Sequence, residues 1–297
     1  MSIDLAIVPV AGQGTRLLPS TKSQPKEMLP VGRKPVVQYI VEELANSGVR
    51  RLLFITGPGK TSIENHFDLD AELIAFLRST GKEELLAELA FERAELEYFY
   101  TRQRRPLGLG HAVLCGEALV GSQPFVVALG DSIIGINAQS DIVRRMADEF
   151  ERRRADAVIA FEEVPRDEVV QYGIAKPRTP SAPVFELADI VEKPSVDEAP
   201  STLAVAARYV FAPVIFELLK KTPPGKGGEI QLTDAIRQLI HQGGKVLGIR
   251  LPEQERRFDI GNFESYFRAF VEFALADPKH GPALRQTLKR LLDAPHT

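Results

Sequence analysis

The chain has no tryptophan, and its single cysteine, Cys115, leaves no partner for an intramolecular disulfide. Five histidines are scattered along it without the spacing of a zinc site. No apolar stretch approaches the ~20 residues of a membrane-spanning helix, so no membrane association is expected. The N-terminus, MSIDLAIVPVAG, carries an acidic residue and only a short apolar run. That is unlike a secretory signal, and a cytoplasmic location is the expectation. Positive charge is not in excess either. A formal net charge of -3 offers no electrostatic reason to expect nucleic acid as a partner. The run Arg152-Arg153-Arg154 reads as the solvated face of a polar helix.

What remains is an ordinary soluble composition, 44% hydrophobic and 26% charged. With 297 residues it suffices for one large α/β domain or two small ones. Short apolar runs read as strands at Leu5 to Val10, Arg51 to Thr56, Leu96 to Thr101 and Phe125 to Leu129. Helical patterns lie between them, at Pro35 to Ser47, Ile63 to His66, Ala71 to Ser79, Glu83 to Glu92 and Gly108 to Glu117. The alternation predicts a Rossmann-like α/β fold with a mixed, mostly parallel central sheet flanked by helices. Further strands are expected at Ala157 to Phe161, Phe185 to Val191, Val205 to Phe211 and Val246 to Leu251. Helices are expected at Pro213 to Lys220 and Ile230 to His241. The proline-rich pieces Lys176 to Pro183 and Thr222 to Lys226 read as connections. Aromatic residues recur at helical spacing from Phe263 to Phe273, on a helix packed on its own sheet or against another subunit. Cys115 follows the apolar run Ala112-Val113-Leu114 and reads as packing rather than a nucleophile.

The stretch Pro9 to Pro30, PVAGQGTRLLPSTKSQPKEMLP, carries the strongest chemical signal. Two glycines, an arginine and a lysine directly follow an apolar strand. Glycine permits tight turns and close backbone approach to a ligand, and backbone N–H groups in such a turn form an anion-binding concavity. Arg16 and Lys26 add positive charge from two points. The stretch therefore reads as a polyphosphate cradle at the mouth of an α/β sheet. Two rival motifs fail. Gly12-Gln13-Gly14 begins a dinucleotide fingerprint, but Leu17 stands where its third glycine belongs. Gly57-Pro58-Gly59-Lys60-Thr61 ends like a Walker A loop, but Phe54 occupies its first glycine position.

Asp131 stands just past the apolar strand Phe125 to Leu129. It is either a turn former or a magnesium ligand, since Mg²⁺ favours one or two carboxylates completed by phosphate oxygens. In wound sheets ligands gather beyond the carboxyl ends of the strands. The glycine loop and Asp131 then open onto one site, which favours the ligand.

Gly12, Gly14, Thr15 and Arg16, followed by Pro25, Lys26, Glu27, Met28, Leu29 and Pro30, resemble the signature of the sugar nucleotidylyltransferases. The details look like the branch of bacterial UTP–glucose-1-phosphate uridylyltransferases, and matching segments run from Val8 to Asn262. The resemblance implies that Ala11, Gly12, Gly14 and Thr15 hold the nucleotide, with Gln103 and Gly108 at its base. Gln103 offers a donor and an acceptor to the base edge. Gly173, Glu192, Lys193 and Glu229 would face the sugar, with Lys193 on the sugar phosphate. The alternatives are solvated charges at Glu192 and Lys193 and helix capping around Glu229. Asp259 would join Asp131 on the metal, or else form an Asx turn or cap the helix that follows. One departure is Gly130, where the family usually has proline, and a looser backbone beside Asp131 is the expectation.

The implied reaction joins UTP and α-D-glucose 1-phosphate into UDP-glucose and pyrophosphate, with Mg²⁺ as cofactor and Arg16, Lys26, Asp131 and Lys193 as its catalytic groups. A nucleotide part (about residues 1–135), a sugar part (about 136–262) and a C-terminal helical segment (263–297) would form one domain, in a homodimer or homotetramer. The rivals are the same chemistry with dTTP or another sugar 1-phosphate, a non-catalytic sugar-nucleotide sensor, and a nicotinamide dehydrogenase.

Overall fold

The computed structural model describes residues 3–136 and 139–293. The apolar run Leu5–Pro9 forms strand β1. The hairpin of β2 (Pro30–Val31) and β3 (Lys34–Pro35) then leads into helix α1 (Val36–Asn46). Pro35 holds the extended N-cap that starts α1, one residue later than the sequence pattern suggests. Strand β4 (Arg51–Thr56), helices α2 (Thr61–Phe67) and α3 (Ala71–Ser79), and strand β5 (Glu97–Arg102) follow. Between α3 and β5, the expected Glu83 to Glu92 helix winds instead as 3-10 turns over Glu83–Arg93. Helices α4 (Leu109–Leu114) and α5 (Glu117–Val120) divide the pattern expected to run through Glu117.

Next come β6 (Phe125–Ala128), β7 (Ser132–Ile134), α6 (Ile142–Arg153), β8 (Ala157–Glu163), β9 (Gly173–Pro177), β10 (Val184–Glu192) and β11 (Leu203–Phe211). The chain continues through α7 (Val214–Lys221), α8 (Leu232–His241), β12 (Val246–Arg250), β13 (Arg257–Asp259), α9 (Phe263–Ala276) and α10 (Gly281–Asp293).

Among the described residues nine strands form one sheet in the order β5-β4-β1-β6-β11-β8-β12-β10-β9. The run β5-β4-β1-β6 is parallel, as is the pair β8 and β12, while β11 and β10 run against their neighbours. The sheet is therefore mixed, with its long parallel run on the N-terminal side. Period-two alternation divides its side chains between two cores. Ala6, Val8, Leu52 and Phe54 pack with α1 and α6 on one face. Leu5, Ile7, Leu53 and Ile55 pack with α4, α7 and α8 on the other. Strands buried on both faces read as continuous apolar runs, which is why β1, β4 and β6 were plain in the sequence.

Two features lie outside what periodicity can show. Strand β9 occupies part of the proline-rich stretch, with Pro177 at its end. Strands β7 and β13 form a small antiparallel ribbon, pairing Ser132 with Asp259. The aromatic face of α9 divides. Phe273 is buried against Tyr39 and Phe258, while Phe267 is 59% exposed. No described helix is long and apolar enough to cross a membrane.

Candidate active site

The glycine loop leaves β1 with its first turn fixed, because Val10 N–H donates to Ile55 O at 2.9 Å. Gly14 takes the left-handed conformation (φ 66°), and an added Cβ would lie 3.2 Å from Thr21. Thr21 Oγ1 donates to Gly14 O at 2.7 Å and ties the loop closed. Gly14 is thus required by its backbone. At Gly12 an added Cβ would meet only the end of the Lys26 side chain, Cε at 3.6 Å and Nζ at 3.7 Å, both ordinary contacts. Leu17 is buried and pins the short turn Thr15–Leu17, which leaves Thr15 and Arg16 exposed above the loop.

Lys26 donates to Asp131 across the mouth of the sheet. Burial alone would lower its pKa, but the carboxylates of Asp131, Glu27 and Asp259 outweigh it and hold Lys26 protonated. The lysine of the rejected Walker-like segment has a different use. Lys60 is buried and donates to buried Glu27 at 2.7 Å, bracing the turn that carries Lys26. Sequence reading missed Lys60, Glu27 and Thr21. The available signal was an acidic residue, Glu27, directly beside Lys26 in the short turn Lys26–Met28.

Asp131 follows β6, and Gly130 is not loose, as had been expected from its departure from proline. Its N–H donates to Pro9 O at 3.4 Å, and an added Cβ would lie 2.5 Å from Val10 Cγ1. Asp131 O accepts from Ile260 N–H at 2.9 Å, and the β7–β13 ribbon brings Asp259 alongside. Burial pushes the Asp131 carboxyl up, but the Lys26 ammonium prevails and holds it below the usual carboxylate range. Asp259 moves the other way, raised by burial and then by the charge of Asp131. The helix-cap alternative for Asp259 does not hold, because Asn262 caps α9 in a capping box with Ser265. Arg257 lies 3.8 Å from Asp259 Oδ1, pairs with Glu162, and stacks on the ring of Tyr172.

Gln103 and Gly108 line the same cavity as the glycine loop. Gln103 is buried, and its Nε2 donates to Gly108 O at 3.0 Å and faces His111 Nδ1 at 3.0 Å. A carbonyl can only accept, so the amide nitrogen must face it. The amide nitrogen of Gln103 is thus engaged within the protein. Gly108 has φ 96°, and a Cβ there would lie 2.6 Å from Glu229 Cβ. Reciprocal backbone bonds, Gly110 N–H to Ile230 O (2.9 Å) and Ile230 N–H to Leu107 O (2.8 Å), clasp the two segments together.

These parts enclose one cavity of about 470 Å³. Ala11, Gly12, Gly14, Thr15, Arg16 and Lys26 line it together with Gln103, Gly108, Asp131 and Glu229. Asp259 adjoins it through Gly261, which shares the lining and packs near Arg16 Nη2. Gly173, Glu192 and Lys193 do not line this cavity. They meet where β9 and β10 pair, Gly173 opposite Glu192. An added Cβ at Gly173 would lie 3.0 Å from Thr233 Oγ1 and 3.4 Å from Glu192 Oε2. Lys193 holds a left-handed backbone (φ 45°), with its Nζ 3.4 Å from Glu192 Oε1. The segment 229–234 spans both groups. It is not a capping motif, since Gln231 begins α8 without a side-chain cap bond. Cys115 is half-buried, and burial pushes its thiol pKa up, which accords with packing.

A nucleotidyl transferase family model matches residues 5–274. The UTP–glucose-1-phosphate uridylyltransferase YngB of Bacillus subtilis is 45% identical over 92% of this chain and 90% of its own length. A UTP-bound UGPase from Acinetobacter baumannii superposes with a TM-score of 0.88 at 39% identity, covering 97% of this chain and 99% of that one. A UDP-glucose pyrophosphorylase complexed with UDP-glucose gives a TM-score of 0.82 at 36% identity, covering 93% and 100%. The glycine loop after β1, the carboxylate at the end of β6 and the clasped loop around Gly108 thus lie within the matched region, and the chain belongs to the nucleotidyl transferase family.

Proposed function

We propose that the chain transfers the uridylyl group of UTP to α-D-glucose 1-phosphate, releasing pyrophosphate. The observation that carries this reading is the one cavity lined by the glycine loop, the Lys26–Asp131 pair and Gln103 together. The relatives' names, UTP–glucose-1-phosphate uridylyltransferase and UDP-glucose pyrophosphorylase, support the same substrates.

The nucleophile is an oxygen of the sugar phosphate. With a second phosphate pKa near ~6 it is largely dianionic at neutral pH and needs no general base. It bonds to the α-phosphorus of UTP as the α–β bridging bond breaks, and the electron pair leaves with pyrophosphate. The protein's task is to align two polyanions and offset their charge. Arg16 and Lys26 bind the triphosphate, with Ala11, Gly12, Gly14 and Thr15 supplying the loop around it. Gln103 accepts the N3–H of the base beside Gly108. Glu192, Gly173 and Glu229 bind sugar hydroxyls, and Lys193 the sugar phosphate.

Asp131 and Asp259 are suited to Mg²⁺: the β7–β13 ribbon brings two carboxylates together, and burial and then the charge of Asp131 raise Asp259. Among the described residues no cluster of three or more potential ligands stands there, so phosphate oxygens and water would complete the shell. When bound, the ion would neutralise triphosphate charge. A cytoplasmic location and assembly through the exposed aromatics of α9 fit this reading. The test is pyrophosphate release from four nucleoside triphosphates with Mg²⁺ and glucose 1-phosphate. UTP should be preferred; equal use of dTTP, or binding without turnover, would overturn the assignment.

A further inference from the structure

Arg208 on β11 is the largest wholly buried side chain, and its partner, Glu43 on α1, is equally inaccessible. The guanidinium grips Glu43 with two bonds, from Nε at 2.9 Å and from Nη2 at 2.7 Å. Removing two charges from water is costly, and apolar residues of similar volume often stabilise a core as well or better. Stability is therefore a weak reason for this pair. Its remaining bonds suggest another. Nη2 also donates to Ser132 O at 2.9 Å, and Nη1 donates to Ala207 O at 3.0 Å. The carbonyl of Ala207 in turn accepts from Leu129 N–H at 3.1 Å.

Leu129 and Ser132 flank Gly130 and Asp131. The same two residues of β11 thus hold both ends of the turn that aims Asp131. They do so from a break in regular pairing, where the β11–β8 register shifts between Val205 and Tyr209 and Ala207 adopts φ 59°. Such a conformation persists in a non-glycine residue only where its surroundings over-determine it. We infer that Arg208, locked by Glu43, is a positioning residue for the proposed transfer: it fixes the Asp131 turn so that the carboxylate stays aligned with Lys26 and Asp259. This rests on the reading of Asp131 given above.

The experiment compares the wild type with the double variant Arg208→Met/Glu43→Leu, with Arg208→Lys, and with Asp131→Asn as reference. Thermal midpoints, kcat, both KM values and binding of Mn²⁺ alone, followed by electron paramagnetic resonance, are measured. The double variant removes both charges together and should keep a midpoint near the wild type. Its kcat should nonetheless fall by about 10²-fold, as for a small misplacement of a reacting group. Its KM for UTP should change little, and Mn²⁺ should bind more weakly. Recovery of kcat and Mn²⁺ binding together with the midpoint would overturn the proposal. Should the double variant not fold, Arg208→Lys decides. A single ammonium cannot replace the three guanidinium nitrogens that together grip both oxygens of Glu43 and reach Ser132 O and Ala207 O, so reduced kcat supports the role and wild-type kcat overturns it. Wild-type turnover in Asp131→Asn would sink the reading of the site itself, whereas wild-type turnover in the Arg208 variants alone sinks only the positioning role.

Discussion

The parallel and antiparallel sides of the sheet hold their lysines differently. On the parallel side Lys26 and Lys60 are each locked to a carboxylate, Asp131 and Glu27, with little of either side chain exposed. On the antiparallel side Lys193 is 40% exposed and stands 3.4 Å from Glu192. Side chains already fixed lose little freedom when a ligand arrives, while mobile ones bear that ordering cost on binding. Under the proposed function the triphosphate would therefore meet cations already held by Asp131 and Glu27, and the sugar phosphate a more exposed one. Substitutions on the first should strike turnover, and those on the second the affinity for the second substrate.

The largest effect should come from Lys26→Met. It removes a cation already aimed into the cavity, and kcat should fall by roughly 10²–10³-fold, the scale of a lost preorganised electrostatic contact. Steady-state pyrophosphate release measures it; unchanged kcat would reduce Lys26 to a counter-ion of Asp131. Arg16→Ala follows, with turnover falling by about 10²-fold and KM moving much less. A rise in KM for UTP at constant kcat would instead make Arg16 a ground-state contact and weaken the contrast between the two sides.

The same contrast governed what the sequence could show. The parallel side was legible because buried strands are continuous apolar runs and the glycine loop concentrates its chemistry in one short stretch. Asp131 could be placed by the rule that sites gather at strand ends. Pairings distant in sequence could not be read: Lys60 with Glu27, Glu43 with Arg208, and Arg257 with Glu162 and Tyr172. Nothing local marks Glu43 or Arg208 as buried, or as partners 165 residues apart. The β7–β13 ribbon has three residues per strand, too few for alternation, and with the Ile260 N–H bond to Asp131 O it sets Asp259 beside Asp131. On the sugar side Gly173, Glu192 and Lys193 came from resemblance. Their grouping at the β9–β10 edge, apart from the main cavity, emerged only with the fold.

Lys193→Gln tests the antiparallel side. Hydrogen bonds to charged groups are worth ~1.5–3 kcal/mol, so KM for glucose 1-phosphate should rise by roughly tenfold or more. Calorimetric binding of UTP to the same variant should be unchanged. A matching loss of UTP affinity would show that the two sides act as one.

The smallest expected effect concerns stability, and the two carboxylates should differ in sign. The Asp259 carboxyl is raised in the folded protein, first by burial and then by the charge of Asp131. The folded state therefore holds this proton more tightly than the unfolded chain. Ionised Asp259 subtracts stability, a loss that is absent below the ordinary carboxylate pKa of ~3.9 and develops as pH rises through the higher folded value. Asp259→Asn should thus raise the thermal midpoint at neutral pH by a few degrees, and the gain should shrink as pH is lowered toward about 4. Asp131 is the converse case, held down by Lys26 against its own burial. Its contribution is present above the ordinary carboxylate pKa and is lost only as pH falls through the lower folded value. Asp131→Asn should therefore lower the midpoint throughout the neutral range. Melting curves without divalent cations measure both variants. If Asp259→Asn also lowers the midpoint at neutral pH, the two carboxylates are not in net repulsion, and the contrast in sign between them fails.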